Sequence, residues 1–232
     1  MKIYAFNIKQ IDNNIFKTLY KFTSIEKQSQ ILKYSFFEDA IRTMIGELLI
    51  RLYVVEKYRI NNDSIKFSKG TFGKPYVKNV KDMEFNISHS GDWVVVAFGR
   101  SELGIDIEVM KQIDFGIASR FFSRYEKDFI ISGNQDMQRH RFYQIWTLKE
   151  SYLKAIGTGL SGGIKEISFC KPDGTFFLDG VHPKYNFSIL DFIPEYKLAL
   201  CSITNCVPEI LRIDLSEILY AFEAQCIKGS EM

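Results

Sequence analysis

Cysteine and histidine are scarce in this sequence of 232 residues, which contains four cysteines and three histidines. Cys170, Cys201, Cys206 and Cys226 form no Cys-x-x-Cys pair, and the histidines are too scattered to supply a metal-ligand pattern. Isolated thiols of this kind are typical of a reducing compartment. We therefore expect free thiols and a cytoplasmic protein.

Long apolar runs and an excess of one charge are also missing. No apolar stretch approaches the roughly 18 residues that a membrane span needs, and the alternating start of the chain is too short for a signal peptide. The formal net charge is +2, so bulk electrostatics favours neither nucleic acid nor a membrane as partner. Hydrophobic residues make up 46% of the chain and aromatic residues 15%, which is ample for a packed core.

The order of predicted elements repeats along the chain. Helical periodicity comes first in each half, and alternating, strand-like segments follow. We therefore predict an α+β pseudo-dimer of two similar halves, residues 1–108 and 109–232, with the active site at their interface. The helices are predicted at 25–34, 38–58, 117–122, 126–131 and 138–156, and the strands at 2–8, 65–67, 93–98, 103–109, 167–170, 175–178, 185–191 and 196–203.

Two carboxylates stand one residue apart in the segment Gly104-Ile105-Asp106-Ile107-Glu108. In a strand, side chains alternate between faces, so Asp106 and Glu108 point the same way and repel each other. Mg²⁺ binds oxygen ligands and is usually held by one or two carboxylates together with substrate phosphates. An edge strand with a solvated acidic face explains the same pattern.

A third acid, Glu150, lies on the helix predicted over 138–156. Trp146 and Lys154 are four residues before and after it, so the three side chains share one helix face. If the two halves pack together, Glu150 could complete a three-carboxylate metal site across their interface. The alternative is an ordinary surface pair between Glu150 and Lys154.

Possible phosphate donors occur in the first half. Ser88 and His89 lie in a predicted turn beside a strand, where hydroxyl, imidazole and backbone N–H groups could bind phosphate. Lys27, Arg42 and Lys74 could add charge, and the flanking glycine and proline predict a loop at Lys74. Individually, each cation is typical of a solvated surface and His89 of a structural hydrogen bond.

Five motifs, in this order and spacing, resemble the 4′-phosphopantetheinyl transferase superfamily in its surfactin-synthetase-activating (Sfp-like) branch. The resemblance extends from the first strand to about residue 203. The motifs are Phe72-Gly73-Lys74-Pro75, Phe85-Asn86-Ile87-Ser88-His89-Ser90, Gly104-Ile105-Asp106-Ile107-Glu108, Arg120-Phe121-Phe122-Ser123 and Trp146-x-x-Lys149-Glu150-Ser151-Tyr152-x-Lys154.

The resemblance implies a monomeric enzyme that moves phosphopantetheine from coenzyme A to a serine of an apo acyl or peptidyl carrier protein. It implies Mg²⁺ as cofactor, with Mn²⁺ possible because carboxylate sites accept both ions. Its metal ligands would be Asp106, Glu108 and Glu150. Its catalytic residues would be Glu150, Lys154 and His89. Its coenzyme A site would contain Lys27, Arg42, Thr43, Phe72, Gly73, Lys74, Pro75, Ser88, His89 and Lys154.

One position departs from the family pattern. Related sequences often carry a second basic residue three positions after the one matching Lys27, and this chain has Gln30 there. We therefore expect weaker binding of the 3′-phosphate of coenzyme A at that position. Carrier-protein contacts are expected from the apolar segment 115–122 or from the glycine-bounded loop 157–164.

Two other function classes remain open. One is a Mg²⁺ enzyme that acts on a nucleotide or pyrophosphate and uses no carrier protein. The other is a non-catalytic module that binds carrier proteins. Loss of a metal-binding acid would favour the module, and all three acids are present.

Overall fold

The first strand of the chain organises the larger sheet of the structure. The structure is a computed structural model that describes residues 1–70, 73–113, 121–159 and 167–229. Its helices and strands form a mixed α+β fold, which divides by contacts into two units, Met1–Phe98 with Pro208–Met232 and Gly99–Val207. No helix in the described ranges is long and apolar enough to cross a membrane.

The elements follow the predicted order, with further helices and strands among them, and residues 117–120 of the helix predicted at 117–122 lie outside the described residues. The first unit contains β1 (Lys2–Asn7), α1 (Asn13–Tyr20), α2 (Ile25–Ile31), α3 (Phe37–Tyr58), β2 (Phe67–Lys69), β3 (Pro75–Val77), β4 (Glu84–Ser90), β5 (Trp93–Gly99), β9 (Glu209–Arg212) and α6 (Leu215–Gly229). The second unit contains β6 (Leu103–Val109), α4 (Arg124–Ile131), α5 (Gln135–Ile156), β7 (Asn186–Leu190) and β8 (Tyr196–Ser202).

In the first unit, α3 packs against a four-stranded sheet of order β4-β5-β1-β9. β1 runs antiparallel to β5 and parallel to β9. Met44, Leu48 and Leu52 recur every four residues along α3 and are fully buried, so they form the apolar stripe of an amphipathic helix. The β2–β3 ribbon is a separate two-stranded sheet.

In the second unit, α5 packs against an antiparallel sheet of order β6-β8-β7. The packing is unusually close at Gly104 of β6. A Cβ atom there would overlap the carbonyl oxygen of Ser151 and the amide nitrogen of Ala155, both in the backbone of α5. Only glycine therefore allows this strand and this helix to approach so closely.

The contact-based division differs from the predicted one at residue 108. β6 pairs along its whole length with β8, from Leu103↔Ser202 to Val109↔Tyr196, so it belongs to the second unit. The C-terminal segment instead returns to the first unit, because β9 pairs with β1. Linear order could not predict either result, since both pairings join residues far apart in sequence.

Two local predictions were wrong. Ser88 and His89, predicted to lie in a turn, are part of strand β4, and the turn begins at Gly91, whose φ of 54° lies in the left-handed region. The strands predicted at 167–170 and 175–178 are reduced to one isolated bridge, Cys170↔Phe176. A turn joins these two segments, with the Gly174 amide donating to the Lys171 carbonyl at 2.9 Å.

Candidate active site

β6 and α5 bring the predicted acids together. Asp106 is buried, with 3% of its surface exposed, and Glu108 and Glu150 are half-buried. The ammonium of Lys154 donates to Asp106 Oδ1 at 2.6 Å. The close packing at Gly104 places the helix turn of Lys154 directly against the strand that carries Asp106.

The pKa of Glu150 depends on its burial and on the other charges of this cluster. The pKa of Glu150 is raised from an ordinary value of 4.5 to about 7, chiefly by burial and then by the negative charges of Asp106 and Glu108. The positive charge of Lys154 opposes that rise. Glu150 Oε1 is buried and has no hydrogen-bond partner among the described residues. A buried carboxylate oxygen without a donor is costly to keep charged, so a cation at this position would stabilise it.

The contact-based division leaves all four charged residues of this cluster in one unit. Asp106, Glu108, Glu150 and Lys154 all belong to the second unit. The reason is the pairing of β6 with β8, which brings the first two acids into the sheet on which α5 packs. In place of the alternative, a simple surface Glu–Lys pair, the structure shows Lys154 paired with Asp106 on the strand.

A buried ion pair anchors α5 next to Glu150, and the sequence analysis missed it. Lys149 is 1% exposed and Glu126 of α4 is 0% exposed. Lys149 Nζ lies 3.1 Å from Glu126 Oε2 and donates to the Ile167 carbonyl at 2.5 Å. Glu126 also accepts from the Phe169 amide at 3.0 Å and from the Ser123 amide at 2.7 Å.

One signal for this pair was present in the sequence. Ser123-x-x-Glu126 is a capping box, which marks the start of α4. The box accounts for one Glu126 oxygen only. The partner Lys149 lies 23 positions later in the chain, and no local pattern connects the two residues.

Trp146, predicted to share a face with Glu150 and Lys154, packs into an aromatic cluster. Its ring lies 5.3 Å from that of Phe121 and 6.4 Å from that of Phe122, measured between centroids. Phe122 is 2% exposed, so it is a core residue. Residues 115–120 of the predicted carrier-contact segment lie outside the described residues, as do residues 160–164 of the loop.

The predicted coenzyme A residues belong to the first unit, apart from Lys154. On α3, half-buried Arg42 donates to the Gly91 carbonyl at 2.7 Å and to Asp39 Oδ1 at 2.7 Å. Arg42 therefore ties α3 to the turn between β4 and β5. Thr43, the next residue, is half-buried.

Lys74 lies on a tight connection between β2 and β3, which confirms the predicted loop. Gly73 has a φ of 83°, a conformation that glycine adopts without strain. The Gly70 amide donates to the Lys74 carbonyl at 2.9 Å, and Lys74 Nζ lies 3.3 Å from Glu84 Oε2. Pro75 begins β3, and Phe72 lies outside the described residues.

Ser88 and His89 are neighbours in β4 and therefore point to opposite faces of the strand. Ser88 is buried and His89 is exposed. The predicted turn at these residues is therefore wrong, and their side chains do not lie on the same face. A ligand on the exposed face would contact the His89 imidazole and reach Ser88 only through its backbone.

A cavity of about 930 Å³ opens in the first unit between α2, the middle of α3 and the β2–β3 ribbon. Lys27 and Pro75, two of the predicted coenzyme A contacts, line it. Glu47 and Arg51, joined at 2.8 Å, lie in its wall. Glu47 also accepts from the hydroxyl and amide of Ser24, the N-cap of α2, which fixes this helix on α3.

Comparison with known proteins covers both units. The sequence model described as the 4′-phosphopantetheinyl transferase superfamily matches residues 102–201, and that of the 4′-phosphopantetheinyl transferase N-terminal region matches residues 11–101. The 4′-phosphopantetheinyl transferase ffp of Bacillus subtilis is 36% identical over 224 residues, which cover 95% of this chain and 98% of that protein.

Two further similar proteins are also 4′-phosphopantetheinyl transferases. The 4′-phosphopantetheinyl transferase Sfp of Bacillus subtilis (strain 168) is 35% identical over 227 residues, covering 94% of this chain and all of that protein. The 4′-phosphopantetheinyl transferase gsp of Aneurinibacillus migulanus is 36% identical over 219 residues, covering 92% of this chain and 91% of that protein. The chain belongs to the 4′-phosphopantetheinyl transferase superfamily.

The side chains of Asp106, Glu108 and Glu150 in this transferase have the chemistry needed to bind a hard divalent cation. Carboxylate oxygens are the ligands that Mg²⁺ and Mn²⁺ accept, and Glu150 Oε1 is buried without a hydrogen-bond donor among the described residues. Within the described ranges, no three His, Cys, Asp or Glu side chains are arranged as a ready metal site. In this arrangement Lys154 provides the positive charge next to Asp106.

Proposed function

We propose that this protein transfers the 4′-phosphopantetheine arm of coenzyme A to a serine of an apo acyl or peptidyl carrier protein. The observation that carries the proposal is the similarity, at 35–36% identity, to 4′-phosphopantetheinyl transferases over at least 94% of this chain. The carrier serine attacks the β-phosphorus of coenzyme A. The bond from that phosphorus to the bridging oxygen breaks, and 3′,5′-ADP leaves.

Asp106, Glu108 and Glu150 would hold Mg²⁺, and Mn²⁺ is the natural substitute. When bound, this cation supplies charge neutralisation at the pyrophosphate and at the departing 3′,5′-ADP. The unsatisfied oxygen and raised pKa of Glu150 support this assignment, because both are relieved when a cation approaches the cluster.

Glu150 is our candidate for the base that takes the proton of the carrier serine. A serine hydroxyl is a weak nucleophile and needs such a base. General bases work best when their pKa lies near the operating pH, and the pKa of Glu150 is raised to about 7. Lys154 lies one helix turn away and would contact the phosphates of coenzyme A as a point charge.

The first unit would bind coenzyme A through the residues implied by the family motifs. His89 is exposed on β4 and could donate to a phosphate, which is the catalytic contribution we assign to it. Lys27 lines the cavity beside α2, and Arg42 and Lys74 add positive charge. The remaining contacts would come from Thr43, Gly73, Pro75 and Ser88.

The test is the intact mass of an apo carrier protein after incubation with this protein, coenzyme A and Mg²⁺. We expect the mass to increase by one phosphopantetheine arm, and the increase to disappear with EDTA and return with excess Mg²⁺ or Mn²⁺. Glu150→Gln should abolish the transfer. Glu195→Gln, which changes an exposed carboxylate of the same unit, should leave it intact.

The two other function classes give different results in the same experiment. A hydrolase acting on the pyrophosphate would release 3′,5′-ADP with no gain in carrier mass. A binding module would retain the carrier protein on a column and leave both substrates unchanged. Either result with fatty-acid, polyketide and peptide carriers would refute the transferase proposal.

A further inference from the structure

A buried network of polar contacts joins three segments of the second unit. Glu126 of α4 accepts hydrogen bonds from the amides of Ser123 at 2.7 Å and Phe169 at 3.0 Å. The hydroxyl oxygens of Ser123 and Ser168 lie 2.9 Å apart, so the start of α4 and the segment that contains Phe169 are already held together. Lys149 connects α5 to this network, with its ammonium nitrogen 3.1 Å from Glu126 Oε2.

The burial of this ion pair is costly to the fold. Lys149 is 1% exposed and Glu126 is 0% exposed. Removing two charges from water offsets most of the attraction between them, and apolar residues of similar volume often stabilise a protein as well or better. Stability alone therefore does not explain the pair. What it adds is a fixed geometry, because hydrogen bonds depend on direction whereas apolar contacts do not.

The other side of α5 is held against β6. The helix backbone at Ser151 and Ala155 lies so close to Gly104 that a Cβ atom on this glycine would overlap it. Lys154 adds an ion pair with Asp106 of the same strand at 2.6 Å. These contacts set the distance between the helix and the strand, and they also set the level of the helix along the strand.

Glu150 lies between these two sets of contacts. Successive residues of an α-helix are rotated by about 100° around its axis, so Lys149 projects about 100° to one side of Glu150 and Ser151 about 100° to the other. Glu126 therefore holds the helix from one side while β6 holds it from the other. A rotation of α5 about its axis would break contacts on one of these sides, so the direction of the Glu150 carboxylate is fixed.

We propose that Lys149 and Glu126 are positioning residues, which fix the rotation of α5 and so set the direction of the Glu150 carboxylate for proton transfer. The inference rests on the proposed transferase function, in which Glu150 takes the proton of the carrier serine. A displacement of about 1 Å in an active site can lower a rate about 100-fold. Both residues are buried, so they act through Glu150 and not by contact with a substrate.

The test compares the kinetics of wild type, Lys149→Met and the neutral double variant Lys149→Met/Glu126→Gln. Transfer is measured at saturating carrier protein and Mg²⁺, at a temperature where circular dichroism shows each protein to be folded. Both variants should lose roughly 10- to 100-fold in kcat. Their KM for coenzyme A should change less than about threefold, because the predicted coenzyme A residues, apart from Lys154, belong to the first unit.

The double variant separates positioning from stability. Glutamine resembles Glu126 in shape and carries no charge, so this variant buries no unpaired charge and should regain part of the stability that Lys149→Met loses. Its kcat should nevertheless stay low, because methionine cannot donate to Glu126 or to the Ile167 carbonyl, which accepts from Lys149 at 2.5 Å. If Lys149→Met alone does not fold, the double variant decides the question.

The matched control is Ile130→Ala, which removes a fully buried apolar side chain of α4 and leaves both charges in place. It should lose stability, as large-to-small substitutions in a core do, and keep kcat within about threefold of wild type. A folded Lys149→Met or double variant with the same kcat as this control would overturn the inference.

A readout besides activity comes from crystal structures of wild type and the double variant. The Glu150 carboxylate should move by about 1 Å or more relative to Asp106, while the pairing of β6 with β8 stays the same. An unchanged position of Glu150 would show that the buried pair does not set its direction.

The outcomes separate the two proposals. If wild type modifies a carrier protein and the folded variants do so at the rate of the control, the positioning role is wrong and the transferase function stands. If wild type modifies no carrier protein but Glu150 is displaced in the double variant, the transfer proposal fails and the positioning role stands.

Discussion

Replacing Glu150 by glutamine should stabilise the metal-free protein at alkaline pH while abolishing transfer. The fold raises the pKa of this carboxyl from 4.5 to about 7, mainly by burial and then by Asp106 and Glu108. The charged form is therefore unfavourable in the native state. Glutamine has nearly the same shape as the protonated acid and carries no charge, so it removes this cost.

The sign and size follow from proton linkage. Below about pH 4.5, the carboxyl is protonated in both the native and the unfolded state, so burial of its charge does not lower the free energy of unfolding of wild type. Between 4.5 and about 7 the unfolded state releases its proton first, so the free energy of unfolding of wild type falls as pH rises. The pKa difference corresponds to at most ~3 kcal/mol. Because Glu150 is only half-buried, solvent screening should reduce the effect to about 1–2 kcal/mol.

The assay is urea denaturation of both proteins in EDTA at pH 5, 6, 7 and 8. The advantage of Glu150→Gln over wild type should be smallest at pH 5 and reach its maximum above pH 7. Added Mg²⁺ should raise the urea midpoint of wild type more than that of the variant and narrow the difference. Glu195→Gln, at an exposed site, supplies the control. A Glu150→Gln advantage that stayed constant from pH 5 to pH 8 would refute the reasoning.

Two further substitutions test how α5 is held. Gly104→Ala should lower the free energy of unfolding by more than about 3 kcal/mol and abolish transfer, because the added methyl group would overlap the backbone of α5 at Ser151 and Ala155. A thermal unfolding midpoint within a degree of wild type would show that the strand and helix do not lie this close. Lys149→Met should cost about 3–5 kcal/mol by leaving the buried Glu126 charge without its partner. Adding Glu126→Gln should recover part of that loss, and strictly additive losses in the double-mutant cycle would contradict a coupled pair.

Local periodicity determined much of the candidate site in advance. Strand β6 was predicted at residues 103–109 and lies at Leu103–Val109. Alternation put Asp106 and Glu108 on one side, and both raise the pKa of Glu150 in the structure. The i, i+4 spacing of Glu150 and Lys154 was also readable, because a helix fixes the neighbours of a residue within one turn. Ser24 is the N-cap of α2, and a serine hydroxyl just before a helix is a local signal of the same kind.

The pairing of strands that are far apart in the chain could not be predicted from the sequence. The order of elements indicated two α+β halves but placed the division after Glu108, because it could not show that β6 pairs with β8 or that β9 returns to β1. Strand register is set by side chains from distant segments and by the packing of helices on the sheet. Those contacts, and not local propensity, moved all three acids into the second unit.

The two lysines on either side of Glu150 show most directly what could not be predicted from the sequence. Lys149 and Lys154 have the same chemistry and lie five positions apart on one helix, so each could have been a surface residue. The tertiary structure buries Lys149 against Glu126 and Ile167, and sets Lys154 against Asp106. Composition and spacing determined which charges were available, whereas the packing of α4 and β6 on α5 decided which charge would neutralise which, because an ion pair depends on distances that only the folded chain establishes.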